Sequence, residues 1–472
     1  VVMPANVLIQ LKLQNKPGTL AKILTAIGEY GGNVGSIDLV SASPDFMVRD
    51  IMIGMHDSQQ LKPLLEKLNN FPEARVLHVA DRVFLAHRGG KIQVSAKRQI
   101  LNREDLSLVY TPGVARVSQA IAQNPEYAYD LTMKGNSVAI VTDGSAILGL
   151  GNLGARAALP VMEGKAVLFK QFGNVDAVPI CLDVHEPEEI IATVLAIAPQ
   201  FGGINLEDIA APKCFEIEDK LTELLDIPVF HDDQHGTAIV VLAGLINALK
   251  IVGKDLAGVK IVISGAGAAG VAITRILLDA GAENIIVCDR QGAISAQRHP
   301  SVPSKRWLAE HTNRENKNGT LKEVLAGSDV FIGVSGPGLL HREDILKMAP
   351  RPVVFALANP VPEVEPEEVY DIAGVLATGR SDYPNQINNV LAFPGVFRGA
   401  LDCHARAING EMSLAAARAL AGIVRPDELS ADYIIPAVFN RDVTRKVAGA
   451  VKEAAIKSGL SRRINHFKDI IG

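Results

Sequence analysis

Val7, Ile9, Leu11 and Leu13 alternate with polar positions through VLIQLKLQ, which predicts a strand over residues 7–14 with one face buried. Pro17 and Gly18 turn the chain, and Leu20, Ile23, Leu24 and Ile27 then recur at helical spacing until Gly31 and Gly32 end the helix. Strand-like runs at 34–40 and 47–55, a helix at 59–68 and a strand at 75–79 complete the order βαββαβ. That order is ferredoxin-like. The pattern lapses into a polar, glycine-bearing joint at AHRGGK, residues 86–91, which predicts a domain boundary.

A second strong pattern lies in KIVISGAGAAGVAITRILLDAGAENIIVCDR. An apolar strand ends at Ser264, Gly265, Gly267 and Gly270 follow at once, a helix opening on small residues runs to 278, and another apolar strand ends at Asp289. This is the Rossmann dinucleotide fingerprint in its required context. Its glycines admit backbone N–H groups to a pyrophosphate at a helix N-terminus, and the acid about 20 residues on takes ribose hydroxyls. The same spacing recurs at Gly149, Gly151 and Gly154, but there the preceding strand (137–142) has already ended at Asp143-Gly144, and Pro160 is expected to interrupt the helix that should follow. That copy reads as a loop of a separate α/β domain. A carboxylate at Asp289 suits the free ribose diol of NAD, while the adjacent Arg290 leaves NADP open.

A chain of 472 residues is too long for one ordinary core and predicts two to four domains. A net charge of −5 is mild and argues against a nucleic-acid partner, for which a basic patch is expected. Cys181, Cys214, Cys288 and Cys403 lie far apart, signalling neither a disulfide framework nor a zinc knuckle, and read as reduced thiols of a cytoplasmic protein. The N-terminus does not read as a signal peptide. The longest apolar run, 238–246, is shorter than the roughly 18 residues of a membrane span, so no membrane partner is expected.

The chemistry-bearing stretches lie between these landmarks. VFHDDQHGTA places Asp232 and Asp233 between two histidines at the joint of two apolar segments. A helix cap needs one acid rather than two. Upstream, INLEDI ends on Glu207 and Asp208. Acids at the ends of buried strands repel one another unless a cation lies between them, and an all-oxygen set suits Mg²⁺ or Mn²⁺; solvated strand ends are the plainer alternative. The spacing of His231 and His235 lacks the glutamate of a zinc motif, leaving orienting or packing roles. Tyr110 precedes a Thr-Pro-Gly turn, and Lys165 enters a buried segment where desolvation and a nearby cation would lower its pKa into the range of a base. A turn residue and a snorkelling lysine are the alternatives.

The segment NKPGTLAKILTAIGEYGGNVGSI resembles the ACT domain family, paired modules that bind an amino acid or similar effector. From about residue 95 to 440, YTPGVA, MKGNSVAIVTDGSAILGLGNLG, PVMEGKAVLFK, GGINLEDIAAPKCFEIE, PVFHDDQHGTAIV, SGAGAAG, ALANP and GRSDYPNQINNVLAFPG resemble malic enzymes of the shorter bacterial type. The resemblance implies Glu207, Asp208 and Asp233 as metal ligands, Lys165 as general base, Tyr110 as general acid and Asp232 as a supporter of the base. It further implies cofactor contacts at Gly265, Gly267, Ala268, Gly270, Asp289 and Asn359, and substrate contacts at Asn359, Asn388 and Asn389. One departure stands out: Ser145-Ala146 occupy the place where longer members carry a substrate-gripping arginine, and Arg380 is the replacement considered.

The fold class expected is therefore α/β, with an ACT-like ferredoxin fold over 1–85, a substrate and metal domain over 90–235, a Rossmann-type domain over 236–440 and a helical segment, 441–472, packing back on the core. The activity expected is oxidative decarboxylation of malate with NAD or NADP and Mg²⁺ or Mn²⁺, in a homodimer or larger assembly with an effector at the ACT-like domain. Three rivals remain: a malolactic enzyme releasing lactate, an amino-acid dehydrogenase with an ACT regulator, which would not need the paired acids, and a non-catalytic effector sensor.

Overall fold

The computed structural model describes residues 5–462, so the last ten positions of the expected C-terminal segment lie outside the described residues. The chain divides into two compact units, Val1–Val94 and Ser95–Gly472. The first ends a few residues beyond the joint read at 86–91 and includes the helix Arg82–His87, which packs on the strands β1 (Ala5–Gln14) and β4 (Ala74–Asp81).

With β2 (Gly32–Ala42) and β3 (Phe46–Met55), these strands form an antiparallel sheet in the order β2-β3-β1-β4. The alternation predicts the buried face: Val7, Ile9, Leu11 and Leu13 point into a core closed by Ile23 and Ile27 of the helix Thr19–Glu29 and by Leu64 and Leu68 of Leu61–Asn69. The first unit is the ferredoxin-like βαββαβ fold expected.

The second unit is built on two mainly parallel sheets. The smaller contains β5 (Ser137–Thr142), β6 (Asp176–Cys181), β7 (Gly203–Leu206) and β8 (Val229–His231), all parallel in the order β6-β5-β7-β8. Parallel pairing brings every carboxyl end to one edge, and the register sets Leu206 opposite His231. Glu207-Asp208 and Asp232-Asp233 therefore leave the sheet side by side. The larger sheet contains β9 (Lys260–Ser264), β10 (Asn284–Asp289), β11 (Gly292–Ala293), β12 (Val330–Gly333), β13 (Val353–Ala356) and β14 (Val375–Thr378). Its order is β11-β10-β9-β12-β13-β14, with only β11 antiparallel. The direction of winding reverses between β9 and β12, the switch point at which doubly wound sheets open a ligand crevice.

One face of each sheet, through Val138 and Ile140 of the smaller and Ile261 and Ile263 of the larger, contributes to one shared core, while the opposite faces close separate ones. Phe169 of the helix Ala155–Gly173 packs on Phe393 and Phe397 of the helix Phe393–Asp402, with ring centroids 4.6 and 5.4 Å apart. The helix Asp442–Lys457 in turn covers Phe393–Asp402, where Val447 closes on Gly395 and Val451 on Gly399.

Two local expectations are corrected. Pro160 does not break its helix, because Ala155–Gly173 runs through it. The missing donor costs one hydrogen bond, while Ala158, Met162, Ala166 and Phe169 bury one face along the whole length. The apolar run at 238–246 also extends further than its strictly apolar part. Helical backbone covers Asp232–Val252, long and apolar enough to cross a membrane, yet most of it is buried inside the protein.

Candidate active site

At the carboxyl edge of the smaller sheet, β7 delivers Glu207 and Asp208 and β8 delivers Asp232 and Asp233. Asp208 adopts a left-handed backbone, φ 53°, a conformation Asp tolerates better than most residues. Its N–H donates to Asp233 Oδ2 at 2.9 Å, binding one acidic pair to the other. Carboxylate oxygens of Glu207, Asp208 and Asp233 lie within 4.8 Å of one another. Neither aspartate of the second pair caps the following helix through its side chain, so the capping explanation fails. Instead residues 232–236 form a single π-type turn leading directly into the helix Thr237–Val252.

Lys165 enters the cluster from the helix Ala155–Gly173 and is 6% exposed. Its ammonium donates to Glu207 Oε1 at 3.1 Å and to Asp232 Oδ2, and lies 3.8 Å from the centre of the Phe393 ring. Asn389 Nδ2 donates to the same Asp232 oxygen, and Asn205 Nδ2 donates to Glu207 Oε2 at 2.9 Å. Gly236 is required here, because a Cβ would run into the Asp232 carboxylate.

One ammonium cannot offset so many acids. Burial, then the charges of Asp233 and Glu207, push Asp208 up to about 8. Asp232 also rises to about 8, its burial and the nearby Glu207 outweighing Lys165. Glu207 is raised mainly by burial. For Lys165 burial acts downward, but Asp232 and Glu207 outweigh it and hold the ammonium above the ordinary lysine range. Among these anions alone the ammonium is raised; the lowering expected from the sequence also called for a nearby cation. Asp208 Oδ2 and Asp232 Oδ1 are buried without a hydrogen-bond partner. Clustered, charge-deficient, partly orphaned oxygens are what a hard divalent cation fits.

The larger sheet supplies the dinucleotide crevice. Gly265, at φ 121°, comes so close to the Val334 carbonyl that a Cβ would lie 2.6 Å from it, and a Cβ on Gly270 would strike the Gly265 carbonyl. Gly267 instead faces open space at the N-terminus of the helix Ala268–Asp279, the place a pyrophosphate would take. Asp289, ending β10, accepts from Lys305 Nζ at 2.7 Å and Arg298 Nη2 at 3.0 Å. Although burial acts upward, these bonds and the Gln291 N–H bring its carboxyl down to about 2. The cations at this carboxylate are thus Arg298 and Lys305, and the adjacent Arg290 is exposed.

Other expected site residues lie elsewhere. Tyr110 ends the helix Arg103–Val109, is 66% exposed and has no side-chain hydrogen bond among the described residues, so nothing bonds it to Lys165 there. The position of the turn, rather than the residue type, decides that. Arg380 pairs with Asp382 at 2.6 Å and does not serve the cluster. Asn388 caps the short turn 389–391 through Val390 N–H. Asn359 is exposed on the loop after β13, and its carbonyl comes within 3.1 Å of where a Gly149 Cβ would stand, so the first glycine-rich loop faces the Rossmann side. His231 is wholly buried, with Nδ1 3.9 Å from Asp233, while His235 bonds Glu218. Sequence reasoning missed Asn205, Glu218, Arg298 and Lys305; only Asn205 and Glu218 lie inside stretches whose chemistry drew notice.

Comparison with known proteins agrees with this layout. An ACT domain family profile matches residues 4–77, the malic enzyme N-terminal domain matches 89–222, and the malic enzyme NAD binding domain matches 234–456. The NAD-dependent malic enzyme of Geobacillus stearothermophilus is 56% identical over 98% of this chain and 96% of its own. The bifunctional malic/malolactic enzyme of Bacillus subtilis is 54% identical over 79% of this chain and 92% of its own. The crystal structure of the NAD-dependent malic enzyme from Thermotoga maritima superposes with a TM-score of 0.76 at 48% identity, covering 79% of this chain and 99% of that one. Fold, site and relatives define a nicotinamide-dependent oxidoreductase. The chain belongs to the malic enzyme family and carries an ACT domain on its N-terminal side.

Proposed function

We propose that the protein converts malate and NAD⁺ into pyruvate, CO₂ and NADH with the assistance of a divalent cation. The observation that carries this reading is Lys165, bonded to both Glu207 and Asp232 beside the carboxylates of Asp208 and Asp233. Glu207, Asp208 and Asp233 would hold Mg²⁺ or Mn²⁺. Bound there, the cation supplies Lewis acidity toward the C2 oxygen of the substrate. Gly265, Gly267, Ala268, Gly270 and Asp289, with Asn359 at the mouth, would hold NAD, which would supply the acceptor for the C2 hydride.

Lys165 takes the C2 hydroxyl proton. A cation held by Glu207 would weaken that carboxylate's hold on Lys165 and so lower the ammonium toward the range of a base. Asp232, fixed by Asn389, keeps that amine aimed and balances it once protonated. Loss of the C2 hydride makes the ketone, the C3–C4 bond then breaks to release CO₂, and a proton added at C3 completes pyruvate. Asn388 and Asn389 border the substrate side. Tyr110 keeps its proposed role as proton donor only where assembly brings it to a site. Residues 95–116 contain no buried position and expose Ile100, Leu101, Leu108 and Tyr110, which supports a homodimer or larger assembly.

The domain division 1–85, 90–235, 236–440 and 441–472, an effector at the ACT domain and a cytoplasmic location belong to the same proposal. Purified protein assayed with malate, NAD against NADP, and Mn²⁺ against EDTA tests it; Mn²⁺-independent turnover or none would reject it. A second reading, release of lactate with retained nicotinamide, is favoured by the malic/malolactic relative. Free NADH absorbance with a lactate assay separates the two.

A further inference from the structure

We infer that Glu218 is a positioning residue that holds the metal-binding turn in shape, an inference resting on the proposed metal site. Glu218 lies on the helix Lys213–Leu224 and is 7% exposed. Its Oε1 accepts the His231 N–H at 2.8 Å, and its Oε2 accepts Gln234 Nε2 at 2.8 Å and His235 Nε2 at 3.0 Å. All three donors come from the segment 231–235, which contains Asp232 and Asp233. A buried carboxylate is costly unless it is well satisfied, and this one is satisfied by the turn alone rather than by any distant lysine or arginine.

The connectivity gives this arrangement its consequence. The helix bearing Glu218 begins directly after the loop of Glu207 and Asp208. At its start, Lys213 bonds the buried Asp143, and Ser145 Oγ accepts the Ala210 N–H at 2.9 Å. One rigid helix therefore fixes the spacing between the two ligand loops: its first turn is anchored beside Glu207 and Asp208, and its second grips the turn of Asp233. The Asp208 N–H to Asp233 bond lies across the gap so defined. Without Glu218, a π-type turn with five consecutive polar or glycine residues loses the acceptor for two of its donors and for the His231 N–H that leads into it. Asp233 then no longer meets the other two carboxylates in one geometry.

The test uses full-length protein and Mn²⁺ alone, with affinity read by electron paramagnetic resonance without substrate, beside KM for Mn²⁺, kcat and melting temperature. Glu218→Ala is expected to weaken Mn²⁺ binding about 10- to 100-fold, the usual effect of losing a group behind a metal ligand, with kcat at saturating Mn²⁺ changed far less. Glu218→Gln keeps volume and one acceptor and should fall between, and it carries the test if the alanine variant does not fold. Glu218→Asp should recover less than Gln, because the shortened stem cannot reach the turn. Wild-type Mn²⁺ affinity in Glu218→Gln, with only the melting temperature lowered, would show a merely structural role and overturn the inference. If wild-type protein bound no Mn²⁺, or Asp233→Asn bound it unchanged, the metal site itself would fall and this inference with it.

Discussion

Lys165 bonds Asp232 and Glu207 at once, so the proposed base is joined through one side chain both to its supporting acid and to the proposed metal cluster. Under that proposal, base strength and metal occupancy would be coupled through Glu207.

Lys165→Ala should lower kcat about 100- to 10,000-fold, the usual worth of a positioned proton acceptor. Removing the ammonium also leaves Asp232 and Glu207 buried without their counter-charge, with only the amides of Asn389 and Asn205 as donors, at a cost of about 3–5 kcal/mol to the metal-free fold. Mn²⁺ affinity should hold or increase, since a competing cation is gone. Steady-state kinetics, melting curves with EDTA and Mn²⁺ titration check the three outcomes; full turnover would reject the assignment.

Gly236→Ala should impair activity more than stability. Overpacking generally costs about 1–3 kcal/mol, but the atom in the way is the Asp232 carboxylate, which Lys165 and Asn389 both hold in place. A variant with normal kcat and a lowered melting temperature would count against the functional importance of that position.

Asp289 should make the fold acid-sensitive in a defined window. Its carboxyl lies at about 2 in the folded protein, below the roughly 3.9 of an unfolded aspartate. A lowered folded value means that its contribution is complete above about pH 4 and is lost as pH falls toward 2. Denaturation by urea at stepped pH should therefore show a shallower acid decline for Asp289→Asn than for the wild type.

Cofactor choice should turn on the same carboxylate. Asp289 occupies Arg298 and Lys305, and Asp289→Ser would release both toward a 2'-phosphate. Calorimetric titration should show NADP binding about tenfold or more tighter and NAD binding weaker, the gain of one charge-assisted contact. Unchanged preference would mean that neither cation reaches the ribose.

Deleting residues 1–94 should leave turnover within about threefold of wild type, because the first unit closes its own core around Val7, Ile9, Ile23 and Leu64. Any response of malate kinetics to an amino-acid effector should vanish. Loss of all soluble activity would instead assign the unit a structural role.

Periodicity was the most legible part of this protein. The alternation at 7, 9, 11 and 13 and the spacing of Gly265, Gly267 and Gly270 fall inside single elements, where side-chain direction follows from backbone geometry alone. The acids at 207, 208, 232 and 233 could also be read as strand ends. Only the parallel register of β7 with β8, which sets Leu206 opposite His231, made them one cluster. Pro160 was misjudged, and Tyr110 and Arg380 lack a bond to the cluster among the described residues, for a related reason: residue type states what a side chain can do, whereas loop position and packing decide what it meets. The same holds for Arg298, Lys305 and Glu218, whose partners lie 9 to 17 positions away. Sequence by itself determined the elements and the chemical groups available. Tertiary structure decided which charges share a low-dielectric site, because electrostatic coupling depends on distance in space, and that distance is set by strand pairing and helix packing.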